Sequence, residues 1–411
     1  MLYGMSAADL TAVDLFDPSI HEDGPPHELF AQLRKESPVL KHAVTVYEQD
    51  YEVWSVTRHE DIKAISRDTD TWSSFKDGIF IQANQVLPLD VTRNLLLYKD
   101  PPEHTKFRGI LKKVFTPRVV ANLEDQIRAR VTKVLDEVIE AGECDFVDDV
   151  AVPIPLGVLT ELMGVPDEDI PKFRDWTSQI EEAQRSIQEN QALETLGDMA
   201  GYLYEHTESH KDVEGLVKMM REAEVDGEKM KDEEILVFFA LLSFAGNDTT
   251  RNTTALGLKA LLEHPEELQA LRDDPELIPN AVEEILRWTT VVKWFVRTAT
   301  TDTELGGQDI KEGEKVVMWY ASASRDEDVF DDPMTFDVRR EKPDHDAFGG
   351  GGRHFCLGNA VARLELKIIF EEVLRRMQDI ELAGEPEMLP STWAHALTHL
   401  PITFTAGAKE A

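Results

Sequence analysis

The stretch that decides the fold is residues 347–370, AFGGGGRHFCLGNAVARLELKIIF, in which one cysteine separates a glycine run from a helical pattern. The four glycines at 349–352 allow positive φ and let the backbone approach a bulky group without Cβ clashes. A helix beginning near Asn359 would favour the thiolate of Cys356 through its dipole and unpaired N–H groups. Such a thiolate serves as a nucleophile or a metal ligand, whereas a lone cysteine is more often a packing residue. The residues alone leave these alternatives open.

The composition excludes several classes of protein. The 411 residues are 42% hydrophobic and contain no repeat or long linker, so we expect one domain over residues 21–407 after a flexible N-terminus, residues 1–20. The 43 basic and 79 acidic residues give a formal charge of −36, which disfavours nucleic acid and anionic membranes as partners. The two cysteines form neither a disulfide framework nor a CxxC motif, which fits the reducing cytoplasm. We expect no signal peptide or membrane anchor, because the longest apolar run, residues 235–246, is too short to span a bilayer.

The order of hydrophobic patterns predicts a mainly α fold with minor β. Residues 51–68 combine a short strand pattern with a helical one. Residues 117–288 are mostly helical in pattern, with prolines marking several helix starts. Strand patterns with glycine turn signals then return. A last helix is expected to begin near Asn359, and a final strand pair to cover residues 395–405.

The cysteine segment resembles the haem-binding signature of the cytochrome P450 superfamily, which is Phe, glycines, a basic residue, Cys and Gly in that order. The matching positions are Phe348, Gly352, His354, Cys356 and Gly358. The resemblance implies that Cys356 is the axial ligand of the iron of haem b, a thiolate ligation for which this family is the standard example. One extra residue separates Phe348 from Cys356, and a bacterial subgroup active on sterols and branched lipids shares this longer loop. Asp346 departs from the family pattern, which usually has an apolar residue there.

The resemblance also implies the family's single triangular-prism domain, with haem between the oxygen-binding helix and the helix after Cys356. In LLSFAGNDTTRN, residues 241–252, the family pattern covers Ala245, Gly246, Asp248 and Thr249. Gly246 would widen the groove for oxygen beside the haem, and Asp248 and Thr249 would be the catalytic acid–alcohol pair that delivers protons. Taken alone, Thr249 is equally explained by a hydroxyl bonded to a carbonyl of its own helix.

Glu284 and Arg287 in EEILRW stand on one helix face, because residues three apart are neighbours there. An isolated pair of this kind is common on protein surfaces. The resemblance makes it the family's buried Glu-x-x-Arg pair, completed by Arg340, with a structural role beneath the haem pocket.

Basic side chains elsewhere match the family's donors to the haem propionates. His104 and Arg108 in DPPEHTKFR are four apart, so both can reach one anionic group. The resemblance adds Arg297 and His354, which makes four donors for two carboxylates. These phrases occur in the family's order from about Trp54 to Thr403, nearly the whole chain.

The segments that contact substrate in the family are almost entirely apolar here, which favours a hydrophobic substrate held by burial. Each residue could equally belong to the core. The candidates are Ile79, Phe80, Val86, Leu87, Leu242, Ala245, Val291, Val292, Trp294 and Leu397.

The implied activity is that of a haem-thiolate monooxygenase, which inserts one atom of O2 into a C–H bond of a terpenoid, steroid or branched lipid. The chain has no flavin or nicotinamide fingerprint, so electrons are expected from a ferredoxin and its reductase. Four basic residues would form the ferredoxin docking patch. They are Lys112, Lys113, Arg363 and Lys367.

Three alternatives remain beside this hypothesis. A haem-binding sensor would have no need of Asp248 and Thr249. A peroxide-driven enzyme of the same fold typically lacks this pair. A hydrolase with Cys356 as nucleophile would leave His104, Arg108 and Arg297 unexplained.

Overall fold

The structure, a computed structural model, describes residues 10–46, 48–82, 88–186, 189–209, 216–225 and 227–410. About half of the chain is helical and the sheets are small, so the predicted mainly α fold with minor β is confirmed. The α-helices are α1 (His27–Glu36), α2 (His59–Arg67), α3 (Leu89–Thr92), α4 (Glu103–Val114), α5 (Pro117–Ala121), α6 (Glu124–Val138), α7 (Pro153–Leu162), α8 (Ile170–Ser186), α9 (Glu189–Ser209), α10 (Leu216–Glu222), α11 (Asp232–Glu263), α12 (Pro265–Asp273), α13 (Ile278–Thr289), α14 (Tyr320–Ala323) and α15 (Asn359–Arg376). Short 3₁₀ turns cover Pro18–His21, Leu96–Tyr98, Asp167–Asp169 and Pro275–Leu277, and a π turn covers Val147–Ala151.

The strands form one larger sheet and several small ones. They are β1 (Val39–Val46), β2 (Gln49–Val56), β3 (Trp72–Ser73), β4 (Glu143–Asp145), β5 (Glu224–Val225), β6 (Glu228–Lys229), β7 (Trp294–Ala299), β8 (Thr303–Leu305), β9 (Gln308–Ile310), β10 (Lys315–Trp319), β11 (Gln378–Leu382), β12 (Glu387–Met388), β13 (Leu397–His399) and β14 (Pro401–Thr405). The larger sheet has the order β1-β2-β10-β7-β3, in which β10 runs parallel to β2 and the other neighbours are antiparallel. This sheet fixes Arg297 opposite Val316 in β7 and β10.

The helix α11 runs through the main hydrophobic cluster and carries the Ala-Gly-x-Asp-Thr motif. It begins with three acidic residues, and the Glu234 carboxylate accepts the Lys231 N–H at 2.8 Å, so charge and capping both favour a start there. A Cβ on Gly257 would lie 2.7 Å from Ile285 Cγ2 and 2.8 Å from Phe370 Cζ. Glycine at this position therefore lets α13 and α15 pack directly against α11, which draws the three motif-bearing helices together.

The two ends of the chain contribute to the core and to the small sheets. Leu10, Leu15 and Phe16 are buried in a core cluster that covers the larger sheet. Residues 1–9 lie outside the described residues. The final strands do occur, but β13 pairs with β12 and β14 lies between β11 and β4, so they do not pair with each other. Within the described residues, the structure contains no helix with the length and apolarity needed to cross a membrane.

Candidate active site

Cys356 lies on a glycine-rich loop directly before α15, as the sequence predicts. Its backbone N–H donates to the Phe348 carbonyl oxygen at 3.0 Å, and its own carbonyl oxygen accepts the Asn359 side chain at 2.7 Å. A Cβ on Gly350 would lie 2.5 Å from Ser66 Oγ, and one on Gly352, whose φ is +70°, would overlap the Ser66 carbonyl. Only glycine at these positions lets the loop rest on α2. The loop thereby holds the sulfur in a fixed position.

The sulfur of Cys356 receives opposing electrostatic influences. Burial raises the pKa of the Cys356 thiol, while the N–H groups of Gly358 and Asn359 and the guanidinium groups of Arg108 and Arg363 lower it. The N–H groups at the start of α15 thus act in the expected direction, toward the thiolate, but burial outweighs them and the net shift of the pKa is upward. A bound metal cation would favour the thiolate further, because a coordinating thiol loses its proton. The environment therefore suits a metal ligand better than a free nucleophile.

The four predicted propionate donors converge beside this loop. The rings of His104 and His354 lie 4.3 Å apart between centroids, and Arg108 donates to the Phe355 carbonyl. His354 Nε2 also lies 3.3 Å from Ser74 Oγ, a contact that no sequence signal indicates because the two residues are far apart in the chain. Arg297 is 4% exposed and donates to its neighbour's carbonyl, Val296 O, at 2.8 Å.

None of these four side chains has a carboxylate partner among the described residues. Both ring nitrogens of His104 are fully covered and have no hydrogen-bond partner among the described residues. Burial, with Arg108 as the next cause, lowers the pKa of His104 to about 4, and burial with Arg297 lowers the pKa of His354. In the described part of the chain, neither Arg108 nor Arg297 forms an ion pair with a carboxylate. Buried cationic and N–H groups that lack an anionic partner fit a dianionic ligand, such as the two propionates of haem.

The helix α11 places the predicted acid–alcohol pair on one turn. Thr249 Oγ1 donates to Ala245 O at 2.7 Å, while Asp248 Oδ1 is held by Arg251 and, at 3.1 Å, by Asn252 Nδ2. Sequence reasoning missed these two partners, although their spacing of three and four residues on a helix is a recognisable signal. The carboxylate of Asp248 is thus anchored by two side chains of its own helix.

Space near this turn is consistent with the predicted groove. A Cβ on Gly246 would meet Leu242 Cδ1 at 3.8 Å and no other group within 4 Å. On the opposite helix, Glu365 is buried and bonded to the Thr250 hydroxyl, and burial raises the pKa of Glu365 to about 8. Sequence reasoning also missed this neutral acid, which lies next to the acid–alcohol pair.

The structure joins Glu284, Arg287 and Arg340 into one buried cluster. Arg287 donates to both carboxylate oxygens of Glu284 at 2.7 Å, and Arg340 Nε lies 3.1 Å from Glu284 Oε2. Arg287 also bonds the carbonyl oxygens of Ser324, Pro333 and Thr335, which ties α13 to the loop that leads toward the cysteine. The cluster has the geometry of a structural support.

The predicted substrate contacts divide into two groups. Side chains that retain accessible surface are Phe80, Leu242, Ala245 and Val292. Side chains packed into core clusters or otherwise buried are Ile79, Val291, Trp294 and Leu397, at 1%, 6%, 4% and 3% exposure. Val86 and Leu87 lie outside the described residues. Trp294 in particular packs on Phe16 and Trp319 and donates to Thr392 O, so it faces the core instead of a ligand.

Two of the four residues of the predicted basic patch have carboxylate partners within the protein. Arg363 makes two hydrogen bonds to Glu283, and Lys367 pairs with Glu371 at 2.6 Å, so internal carboxylates offset both charges. Lys112 is exposed, and the side chain of Lys113 lies outside the described part. Arg353, which the sequence reasoning did not include, is exposed and bonds the Thr105 hydroxyl.

Comparison with known proteins agrees with this arrangement. A family model described as Cytochrome P450 matches residues 165–405. The chain belongs to the cytochrome P450 family.

This cytochrome P450 is 36% identical to the steroid C26-monooxygenase of Rhodococcus jostii, over 95% of this chain and 84% of the relative. It is 36% identical to the methyl-branched lipid omega-hydroxylase of Mycobacterium tuberculosis, over 92% of this chain and 90% of the relative. It is also similar to the solved cytochrome P450 CYP268A2 of Mycobacterium marinum in complex with pseudoionone, with TM-score 0.82, 36% identity and coverage of 98% and 96%.

The cofactor of this cytochrome P450 is haem b, and its reaction class is monooxygenation, as the resemblance predicted. The sensor and cysteine-hydrolase alternatives are therefore wrong. The residues fit the cofactor, because covered donors lie where a dianion is needed and the partly exposed Cys356 lies on the loop beside them.

Proposed function

We propose that this cytochrome P450 hydroxylates an unactivated C–H bond of a steroid, terpenoid or branched lipid, with electrons from a ferredoxin. The observation that carries the proposal is the apolar character of the partly accessible side chains Phe80, Leu242, Ala245 and Val292. Such a surface binds a hydrophobic molecule by burial. Two relatives are named for steroid and branched-lipid hydroxylation, which supports the same substrate classes.

Each group of residues has a separate task in this proposal. Cys356 would hold the iron, while His104, Arg108, Arg297 and His354 would hold the propionates and so orient the ring. The bound haem supplies the oxygen-activating chemistry.

Proton supply is the task of α11. The Thr249 hydroxyl, which donates to the Ala245 carbonyl, would supply the proton that is needed in the pocket when haem is bound. Asp248 replaces that proton from the solvent side, where Arg251 and Asn252 orient its carboxylate.

A ferredoxin would dock where exposed cations lack carboxylate partners. Lys112 and Arg353 meet this condition among the described residues, whereas Arg363 and Lys367 are neutralised by neighbours. We therefore assign docking chiefly to Lys112 and Arg353 on an otherwise acidic protein. The cytoplasm is the proposed location, because both Cys144 and Cys356 are unbridged and a ferredoxin system is intracellular.

A spectral titration tests the substrate assignment. Steroids, linear terpenoids and methyl-branched fatty acids are added to the ferric holoenzyme, and displacement of the iron-bound water is followed by absorbance. At least one class is expected to shift the spectrum, and no shift with any class would disprove the assignment. Turnover with ferredoxin, reductase and NADPH, compared with turnover driven by hydrogen peroxide, separates the proposed enzyme from a peroxide-driven one.

Lys112→Glu and Arg353→Glu test the docking surface. Each is expected to slow reduction by ferredoxin at low ionic strength, whereas Lys311→Glu, at an exposed lysine whose charge is already offset by Asp302, leaves it unchanged. Equal rates in all three variants would remove the docking proposal.

A further inference from the structure

A buried serine lies behind the predicted propionate donor His354. Ser74 is 0% exposed, and its hydroxyl oxygen lies 3.3 Å from Nε2 of His354. The other ring nitrogen of His354, Nδ1, forms no hydrogen bond among the described residues, and this side chain is only partly buried. Nδ1 is therefore the ring nitrogen that remains for a ligand.

The side chain of Asp100 holds Ser74 in this place. Its Oδ1 accepts the Ser74 N–H at 2.9 Å, and its Oδ2 accepts the Ser73 hydroxyl and, at 3.4 Å, the Phe75 N–H. The backbone oxygen of Asp100 also accepts the N–H of His104 at 3.0 Å. Because one carboxylate accepts three donors from consecutive residues, it fixes the turn after β3 and with it the position of the Ser74 hydroxyl.

The tautomer of His354 decides whether Nδ1 can bind an anion. A neutral imidazole carries one N–H and one nitrogen lone pair, so only one of its two nitrogens donates. Burial, followed by the charge of Arg297, lowers the pKa of His354 and so favours the neutral ring. If the Ser74 hydroxyl donates to Nε2, the ring proton is on Nδ1. The reverse bond would leave a lone pair on Nδ1, which repels a carboxylate.

We propose that Ser74, held by Asp100, is a positioning residue that donates its hydroxyl to Nε2 of His354 and leaves the Nδ1–H for a haem propionate. The Ser74 hydroxyl has no other hydrogen-bond partner among the described residues, so its proton is available for this bond. The inference rests on the proposed role of His354 toward the propionates, and it adds the residues that give this side chain the required tautomer. Asp100 acts one step further away, because it bonds the backbone of Ser74 and not the ring.

Ser74→Ala tests the inference, because it removes the hydroxyl and keeps His354. Histidine labelled with nitrogen-15 is observed by NMR in the diamagnetic ferrous carbon monoxide complex of the holoenzyme, and the signals absent from His354→Phe identify His354. The unsubstituted protein is expected to carry the ring proton of His354 on Nδ1, and Ser74→Ala is expected to move it toward Nε2. Transfer of haem from the holoenzyme to excess apomyoglobin is expected to be about tenfold faster in Ser74→Ala.

Asp100→Asn is the second variant, because one carboxylate oxygen becomes an amide group that cannot accept a hydrogen bond. It is expected to move the ring proton in the same direction and to speed haem transfer less than Ser74→Ala does. Ser243→Ala is the matched control, since it removes a buried serine hydroxyl that donates to Phe239 O at 2.9 Å. Ser243→Ala should leave the tautomer and the transfer rate unchanged.

The outcomes separate this inference from the proposed role of His354. A ring proton on Nε2 in the unsubstituted protein, or an unchanged tautomer in Ser74→Ala at any transfer rate, would overturn the inference. Faster haem transfer in His354→Phe would leave the role of His354 standing in that case. If His354→Phe transfers haem at the unsubstituted rate, the propionate role of His354 is wrong and the inference falls with it.

Discussion

The Thr249 hydroxyl donates to the Ala245 carbonyl at 2.7 Å, one turn earlier in α11. Thr253 makes the same bond to Thr249 O at 2.8 Å, so both threonines satisfy a helix carbonyl. The hydrogen bond to a helix carbonyl, which is an ordinary structural role for threonine, is thus present at Thr249 beside its proposed catalytic role. The two threonines differ in that only Thr249 stands in the Ala-Gly-x-Asp-Thr motif.

Thr249→Val is expected to lower product formed per NADPH by about tenfold or more, because the hydroxyl proton is no longer delivered to oxygen. The electrons would then appear as hydrogen peroxide, which a peroxidase assay measures. Thr253→Val loses an equivalent helix bond and serves as the control. Similar coupling in both variants would show that Thr249 is purely structural.

Cys356→Ser is expected to abolish the absorption of the reduced carbon monoxide complex that is typical of thiolate ligation, because serine does not supply a thiolate. Cys144 is the matched control, since burial raises the pKa of its thiol to about 12 and makes it inert. Cys144→Ser should therefore retain the spectrum. An unchanged spectrum in Cys356→Ser would contradict the assignment of the ligand.

Asp346→Leu is expected to stabilise the protein at neutral and higher pH. Asp346 is 0% exposed, and neither of its oxygens has a hydrogen-bond partner in the part of the chain that the structure describes. His59 Nε2 lies 3.9 Å from Oδ1. Burial raises the pKa of Asp346 to about 8, so folding takes up a proton and stability falls as pH rises from about 4 to 8. The gain at pH 7 is on the order of 2–4 kcal/mol by denaturant unfolding.

Asp344→Asn provides a control of opposite sign for Asp346. The ion pair with Lys63 lowers the pKa of Asp344, although burial opposes this, so its carboxylate stabilises the protein above its unfolded pKa and the gain is lost on acidification. Asp344→Asn should therefore destabilise the protein at pH 7 and become neutral near pH 3. A pH-independent effect of Asp346→Leu would show that Asp346 does not titrate as a buried acid.

Glu284→Gln is expected to cost about 3 kcal/mol or more, because two arginines would keep their buried charge without a carboxylate. Arg287 and Glu284 are both 0% exposed. Glu263→Gln removes the partly exposed pair with Lys259 and should cost under about 0.5 kcal/mol. If both variants lost a comparable free energy of unfolding in urea, burial would not distinguish the two ion pairs.

The spacing of residues in the sequence by itself determined the local parts of the site. The glycine loop, Cys356 and the start of α15 are neighbours in sequence, and the Glu284–Arg287 pair follows from helix geometry, since residues three apart share a face. Recognition of the family motifs added His104, Arg108 and Arg297 before their positions were known.

The tertiary structure decided which side chains face the site and which find partners elsewhere. Trp294 packs into the core and donates to Thr392 O, because pairing of distant strands sets which face its ring occupies. Arg363 is offset by Glu283, and Asp346 is left without a partner, because each outcome depends on packing between elements far apart in the chain. Sequence spacing determines contacts within one helix or loop, whereas the charge, burial and direction of a side chain depend on the elements that close over it.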